Sequence, residues 1–231
     1  MIDYIISNLI IDQYIVAREQ NTSSYRTKLT GKHNGIPMFL QRSVALMTLL
    51  FLSPLLLIFM LLIRLESAGG CFFSQDRIGK YGRHFRMYKF RSMYLKTDLR
   101  YAEPDPGKSD REGICKKYKN DPRISIVGAF IRKFSIDELP QLINIVKGDM
   151  ALIGPRPALA IEVNAYPTSA LCRLNGMPGL SGLWQVSGRA DTDFDTQVKL
   201  DDRYLQQQSI GFDIKILLAT LPCVIGAKGA Y

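Results

Sequence analysis

The run VALMTLLFLSPLLLIFMLLI, residues Val44 to Ile63, contains 20 uncharged side chains and is bounded by Arg42 and Arg64. As a straight helix it measures about 30 Å, the thickness of a bilayer's hydrocarbon core, which marks it as a membrane segment. Ser53-Pro54 falls at its middle. Proline withdraws a backbone hydrogen bond and crowds the preceding turn, so a kink is expected there. Basic residues flank both ends: Arg18, Arg26, Lys28, Lys32 and Arg42 before, Arg64, Arg77, Lys80 and Arg83 after. A spanning helix carries a one-sided basic bias. The balance here favours a re-entrant hairpin that enters and leaves through the cytoplasmic leaflet, with a kinked single-span helix as the alternative.

Upstream, Ile2, Ile5, Ile6, Leu9 and Ile10 have the i, i+3, i+4 spacing of a short amphipathic surface helix. Residues 20–37 read as a flexible connection, and no secretory-signal arrangement is present. Downstream, Cys71 to Gln75 and Phe85 to Met93 flank the glycine-bounded Gly79-Lys80-Tyr81-Gly82, the pattern of a β-hairpin. By the period of two, Lys89 and Arg91 share a strand face, either gripping a phosphate or forming a solvated surface. Residues 96–120 are polar and read as an excursion loop.

The 231-residue chain carries a net charge of +9, which points to anionic partners: a phospholipid surface, phosphate-bearing substrates or nucleic acid. Its four cysteines form no CxxC pair, so free thiols in a reducing compartment are expected and a zinc site has no support. Two histidines, His33 and His84, leave little basis for imidazole chemistry.

Beyond Asp121-Pro122-Arg123, residues 124–134 mix apolar and basic side chains and lead into Phe134-Ser135-Ile136-Asp137-Glu138-Leu139-Pro140-Gln141-Leu142-Ile143-Asn144. Ser135 with Glu138 three residues on is a capping-box pattern; alternatively Asp137 is itself the N-cap. Either way two carboxylates open a helix, where its dipole favours their ionised form, and simple capping is one explanation of them. That helix ends near Lys147-Gly148. In Gly154-Pro155-Arg156-Pro157 two prolines fix the backbone around one guanidinium, which suits bidentate phosphate recognition as well as an ordinary turn. Residues 178–189 are glycine-rich without P-loop spacing; they can offer N–H groups to anionic oxygens, with Trp184 at a lipid or nucleobase surface. Helices are expected over 193–208, carrying Asp201, and over 212–225.

The ordered set of the Ser-Pro apolar segment, Tyr88-Lys89-Phe90-Arg91-Ser92-Met93, Asp121-Pro122-Arg123, Ser135 to Leu142, Gly148-Asp149-Met150, Gly154-Pro155-Arg156-Pro157 and Pro178 to Arg189 closely resembles the bacterial sugar transferase family. These are monotopic polyprenyl-phosphate phosphoglycosyl transferases that start exopolysaccharide and related glycan assembly. The resemblance covers residues 38–231 and is nearest to forms that load galactose- or glucose-1-phosphate; the multi-span N-terminal region of larger relatives is expected to be absent. Where relatives usually carry Gly-Arg-Asn, this chain has Gly188-Arg189-Ala190.

The resemblance implies transfer of a sugar phosphate from a UDP-sugar to undecaprenyl phosphate, with release of UMP and use of Mg²⁺. Asp137 and Glu138 match the catalytic dyad, Asp137 as nucleophile and the pair as metal ligands. Lys89, Arg91, Arg132, Arg156, Gln185, Arg189 and Asp201 are assigned to substrate and phosphate binding. The expected fold is α+β and mostly helical: an N-terminal extension (1–37), a re-entrant membrane helix kinked at Ser53 and Pro54 (38–66), and a catalytic domain with a β-hairpin and amphipathic surface helices (67–231). The location implied is the cytoplasmic face of the bacterial inner membrane, with a homo-oligomer left open. Two rivals, a membrane-tethered nucleic-acid-binding protein and a non-catalytic scaffold, account for neither the carboxylate pair nor the bracketed arginine, and nucleic acid is not an expected partner.

Overall fold

The computed structural model describes residues 34–105, 107, 118, 120–188 and 192–226. The expected N-terminal amphipathic helix, much of the 96–120 excursion, Cys115 and Arg189 lie outside these residues. The fold is α+β and mostly helical.

Helix α1, Met38–Glu66, contains the apolar run and extends beyond it at both ends. Among the described residues it is the helix long and apolar enough to cross a membrane. Only Gln41, Ala45, Phe59 and Ile63 are buried along it, and Phe51 is 83 % exposed. An apolar surface of this extent suits lipid rather than water. The helix runs through Pro54 as one segment. Pro54 has no N–H for the Leu50 carbonyl, and Ser53 Oγ donates to that carbonyl instead at 2.8 Å. The Ser-Pro pair thus keeps the carbonyl satisfied where no water can help.

Strands β1 (Phe72–Ile78) and β2 (His84–Phe90) form the expected antiparallel hairpin, with Phe73 opposite Lys89 and Gln75 opposite Met87. The turn between them is a single 3₁₀ turn, Lys80–Gly82, in which Tyr81 and Gly82 have positive φ. Helix α2 (Ile126–Lys133) starts at Ser125, whose hydroxyl accepts from Gly128 N at 2.9 Å. A 3₁₀ turn, Ile136–Glu138, leads through Leu139 and Pro140 to α3 (Gln141–Lys147). Gly148, at φ 90°, closes α3 as expected.

The capping box does not form. Ser135 adopts the left-handed conformation (φ 55°, ψ 21°) and its side chain caps nothing, while its N–H closes α2 onto Arg132 O. The chain leaves α2 here for the 3₁₀ turn, and Ser135 makes that change of course in the left-handed region at a cost of about 1 kcal/mol. Asp137 is not an N-cap either, because α3 begins only after Pro140.

Strand β3 (Ala151–Ile153) pairs in parallel with β4 (Gly179–Ser181), bringing the Gly154-Pro155-Arg156-Pro157 segment beside the glycine-rich stretch. A Cβ on Gly179 would lie 2.0 Å from Gly154 N, so only glycine fits this approach. The glycine-rich stretch is therefore not a loop alone: it holds β4 and the short helix α5 (Leu183–Val186). Trp184 is 7 % exposed, packed inside rather than presented at a surface. After α4 (Ala160–Asn164) and a 3₁₀ segment (Thr168–Asn175), the chain ends in α6 (Phe194–Gln207) and α7 (Ile210–Ile225), capped by Asp193 and Ser209.

Two clusters join α1 to the rest. Ala45 packs with Phe85, Met87, Leu142, Ile145 and Met150. Phe59 and Ile63 pack with Phe90 and Ile131, and with the partly buried Val127 and Ile136. Charge fixes the same joints. Arg42 donates to the Val146 and Lys147 carbonyls at the end of α3, and the Glu66 carboxylate accepts from Ile126 N (2.6 Å) and Val127 N at the start of α2. Each charge sits at the helix end that its sign complements.

Candidate active site

The site is built where β2 meets the turn before α3. Phe85, Met87 and Lys89 share one face of β2 by alternation. The first two are buried against Leu142 and Ile145 of α3. The third lies further along the strand, where the same face meets the 3₁₀ turn, and Lys89 Nζ there contacts Glu138 Oε1 at 2.5 Å. Both side chains keep part of their surface open.

Asn144, fully buried on α3, sets this alignment. It accepts from Tyr88 N at 3.1 Å and donates to Arg86 O at 2.7 Å, binding the helix to the free edge of β2. Nothing in the sequence reading gave Asn144 a role. The available signal was an amide among Leu142, Ile143 and Ile145, since a buried amide must find partners.

Burial pushes the Asp137 carboxyl up to about 6; the Lys89 ammonium opposes that rise, Glu138 reinforces it and Arg132 opposes it. The expectation that the helix start simply favours ionisation is thereby corrected: desolvation outweighs the local dipole. At neutral pH the carboxylate remains predominantly charged, half-buried and close to a cation, as a carboxylate nucleophile requires.

Of the other residues assigned from sequence, Arg132 acts on Asp137 through its charge, while Arg91 is engaged elsewhere. Strand β2 stops at Phe90, so the alternation that put Lys89 and Arg91 on one face ends between them. The buried Arg91 guanidinium donates to the carbonyls of Ile63, Ser67 and Ala68 and caps the end of α1. Arg156 stands with Tyr166 and Arg173 on the wall of a small cavity between Ile78 and Pro178. Asp201 has no exposed surface; its Oδ2 accepts from Arg173 Nε at 2.7 Å, and burial pushes its carboxyl up to about 6 against the pull of Arg173. Gln185 donates to Leu180 O at 3.2 Å. Two groupings result: Lys89, Arg132, Asp137 and Glu138 in one, Arg156, Arg173 and Asp201 in the other. Arg189 lies outside the described residues.

No group of three or more His, Cys, Asp or Glu converges among the described residues. Mg²⁺ does not need one, because it is commonly held by one or two carboxylates together with substrate phosphates and water. The adjacent carboxylates of Asp137 and Glu138 fit that requirement.

A sequence model of the family described as bacterial sugar transferase matches residues 33–227. The chain is 40% identical over 190 residues to the exopolysaccharide production protein ExoY of Rhizobium meliloti (strain 1021), covering 81% of this chain and 84% of that protein. It is 36% identical over 221 residues to ExoY of Sinorhizobium fredii, covering 93% and 98%. It is 41% identical over 190 residues to the undecaprenyl-phosphate galactose phosphotransferase of Salmonella typhimurium, covering 81% of this chain and 40% of that larger protein. With the carboxylate pair, the apolar helix and the hairpin assembled around one another, the chain belongs to the bacterial sugar transferase family.

Proposed function

We propose that this protein transfers a sugar-1-phosphate from a UDP-sugar to undecaprenyl phosphate, the first membrane step of exopolysaccharide or related glycan assembly. The observation that carries the reading is the Asp137-Glu138 pair, held between Lys89 and Arg132 on a turn whose Ile136 packs against the apolar helix α1. Relatives named as undecaprenyl-phosphate galactose and glucose phosphotransferases support the substrate class, with galactose or glucose as the sugar.

In the first step an Asp137 oxygen attacks the phosphorus that bears the sugar. The bond from that phosphorus to the bridging oxygen breaks, UMP leaves with the electron pair, and a phosphosugar-aspartyl ester remains. In the second step an oxygen of polyprenyl phosphate attacks the same phosphorus and the bond to Asp137 breaks, restoring the carboxylate. Lys89 and Arg132 keep Asp137 ionised against its burial and neutralise charge gathering on the diphosphate. Asp137 and Glu138 would hold Mg²⁺ together with substrate oxygens, and the ion would supply further charge neutralisation. Arg156 is assigned to the donor's diphosphate, and it shares a cavity wall with Arg173, the partner of Asp201. The hairpin topology of α1, open to the cytoplasmic leaflet at both ends, lets a soluble nucleotide sugar meet a lipid acceptor at headgroup depth.

The test is UMP release by purified protein from UDP-galactose or UDP-glucose with undecaprenyl phosphate. Asp137→Asn should abolish it, and mass spectrometry after mixing with donor alone should find the adduct on Asp137. Near-normal turnover by Asp137→Asn, or an adduct on another residue, overturns the mechanism. Arg156→Lys should impair turnover by losing the bidentate fork.

A further inference from the structure

Beside the carboxylate turn, α2 presents an apolar stripe that packing of the fold covers only in part. Ile126, Phe130 and Lys133 lie on one side of the helix at i, i+4 and i+7. Ile126 is 81 % exposed and Phe130 51 %. The Phe130 ring is stacked on Phe59 of α1 at 6.1 Å between centroids and tilted against Phe134 at 5.1 Å. Lys133 Nζ stands 5.6 Å from the centre of the Phe134 ring. Three aromatic rings thus lead from the apolar helix to a cation, with Phe59 buried at the joint between the two helices, and Phe134 is three residues from Asp137.

We propose that this stripe seats the first isoprene units of the polyprenyl phosphate acceptor, with the phosphate at Lys133 and Arg132. The proposal rests on the sugar-phosphate transfer reading above. Two features argue for this occupant. The stripe lies against α1, whose buried Phe59 anchors the Phe130 ring, so the exposed part of Phe130 stands beside the lipid-suited surface of that helix. It then ends in cations, which complement an anionic head attached to a single hydrocarbon chain. The cations also lie next to the turn that carries Asp137, where an acceptor phosphate has to arrive. Flat aromatic faces also suit the planar double bonds of isoprene units.

The test uses full-length protein in detergent micelles and a tetraprenyl phosphate bearing a diazirine on its second isoprene unit. Irradiation without nucleotide sugar should label peptides containing Phe59, Phe130 or Phe134. Excess undecaprenyl phosphate should remove the label and excess phosphatidylglycerol should not. Labelling confined to other surfaces, such as Ile214 and Leu218 of α7, or equal competition by phosphatidylglycerol, overturns the proposal. In turnover, Phe130→Ser should raise KM for tetraprenyl phosphate about tenfold and leave KM for the UDP-sugar unchanged, with Phe130→Leu intermediate. Equal changes in both KM values, or a fall in kcat alone, make Phe130 a packing residue and sink the site. Wild-type protein that labels on the stripe yet releases no UMP from any UDP-sugar would refute the transferase reading and leave the lipid site standing.

Discussion

Lys89 Nζ stands 2.5 Å from Glu138 Oε1, and this contact joins a strand of the hairpin to the turn that carries Asp137. It matters for Asp137 as much as for Glu138. Burial raises the Asp137 carboxyl, and the Lys89 ammonium is the chief charge holding it down.

Lys89→Met should therefore move the acid limb of the kcat/KM profile to higher pH. Asp137 must lose its proton to act and does so near 6 without metal, so the wild-type limb is expected at or below pH 6, Mg²⁺ on the same carboxylate lowering it. At pH 7 the variant should lose about ten- to a hundredfold in kcat, since charge neutralisation at the diphosphate is lost as well. Steady-state rates between pH 5 and 8.5 test this; an unmoved limb would separate Lys89 from Asp137.

Asp137→Asn should abolish turnover and also stabilise the fold at pH 7.5. The sign follows from the raised carboxyl: it titrates near 6 in the folded protein against an ordinary value of 3.8. Stability is full below pH 3.8, where both states are protonated, and is lost as pH rises through 6, because ionising the half-buried group costs more in the folded state. The asparagine variant escapes that loss. Its melting temperature should exceed wild type by about 2–4 °C at pH 7.5. The difference should vanish near pH 4, as thermal unfolding at the two pH values will tell.

Asn144→Ala should cost about 2–3 kcal/mol in urea unfolding, because Tyr88 N and Arg86 O lose their partner at a buried joint. It should also lower kcat, since the same two bonds hold β2 in the register that brings Lys89 to Glu138. Loss of stability with unchanged kcat would show that the hairpin holds its register without this amide.

The Arg173–Asp201 pair is buried on both sides, at 2.7 Å. Asp201→Ala leaves a guanidinium without its counter-ion and should destabilise by about 3–5 kcal/mol. Arg173→Met combined with Asp201→Leu should recover much of that loss, by the same reasoning. A double variant no more stable than Asp201→Ala would show that the charges, and not their separation, are what the site requires.

The re-entrant topology proposed for α1 is open to a direct check with cysteines at Leu40 and Leu65, both exposed and outside the polar contacts described above. In intact cells both cysteines should react only after the inner membrane is made permeable to the reagent. Labelling of one from the periplasm would mean that the helix spans.

Much of the architecture was legible in the chain because short-range stereochemistry dictates it. The apolar run around Ser53-Pro54, the hairpin about Gly79–Gly82, Gly148 as a helix stop and the helices after Asp193 and Ser209 all follow from spacing, capping and φ preference. The adjacent carboxylates were visible too, though their local geometry was not. A left-handed Ser135 replaced the capping box because the chain leaves α2 there for a 3₁₀ turn instead of starting α3 directly.

What sequence alone determined was which pieces exist and which residue types carry chemistry; tertiary structure decided what each charge is for. Lys89 and Arg91 are two residues apart and look equivalent, yet one meets Glu138 and the other caps α1, because β2 ends between them. Asp201, assigned from sequence to substrate and phosphate binding, is sealed against Arg173, and Trp184 reads as a surface ring but is packed inside. The physical reason is that strand ends, burial and ion pairing are set by contacts between residues dozens of positions apart, while periodicity and capping act within a few.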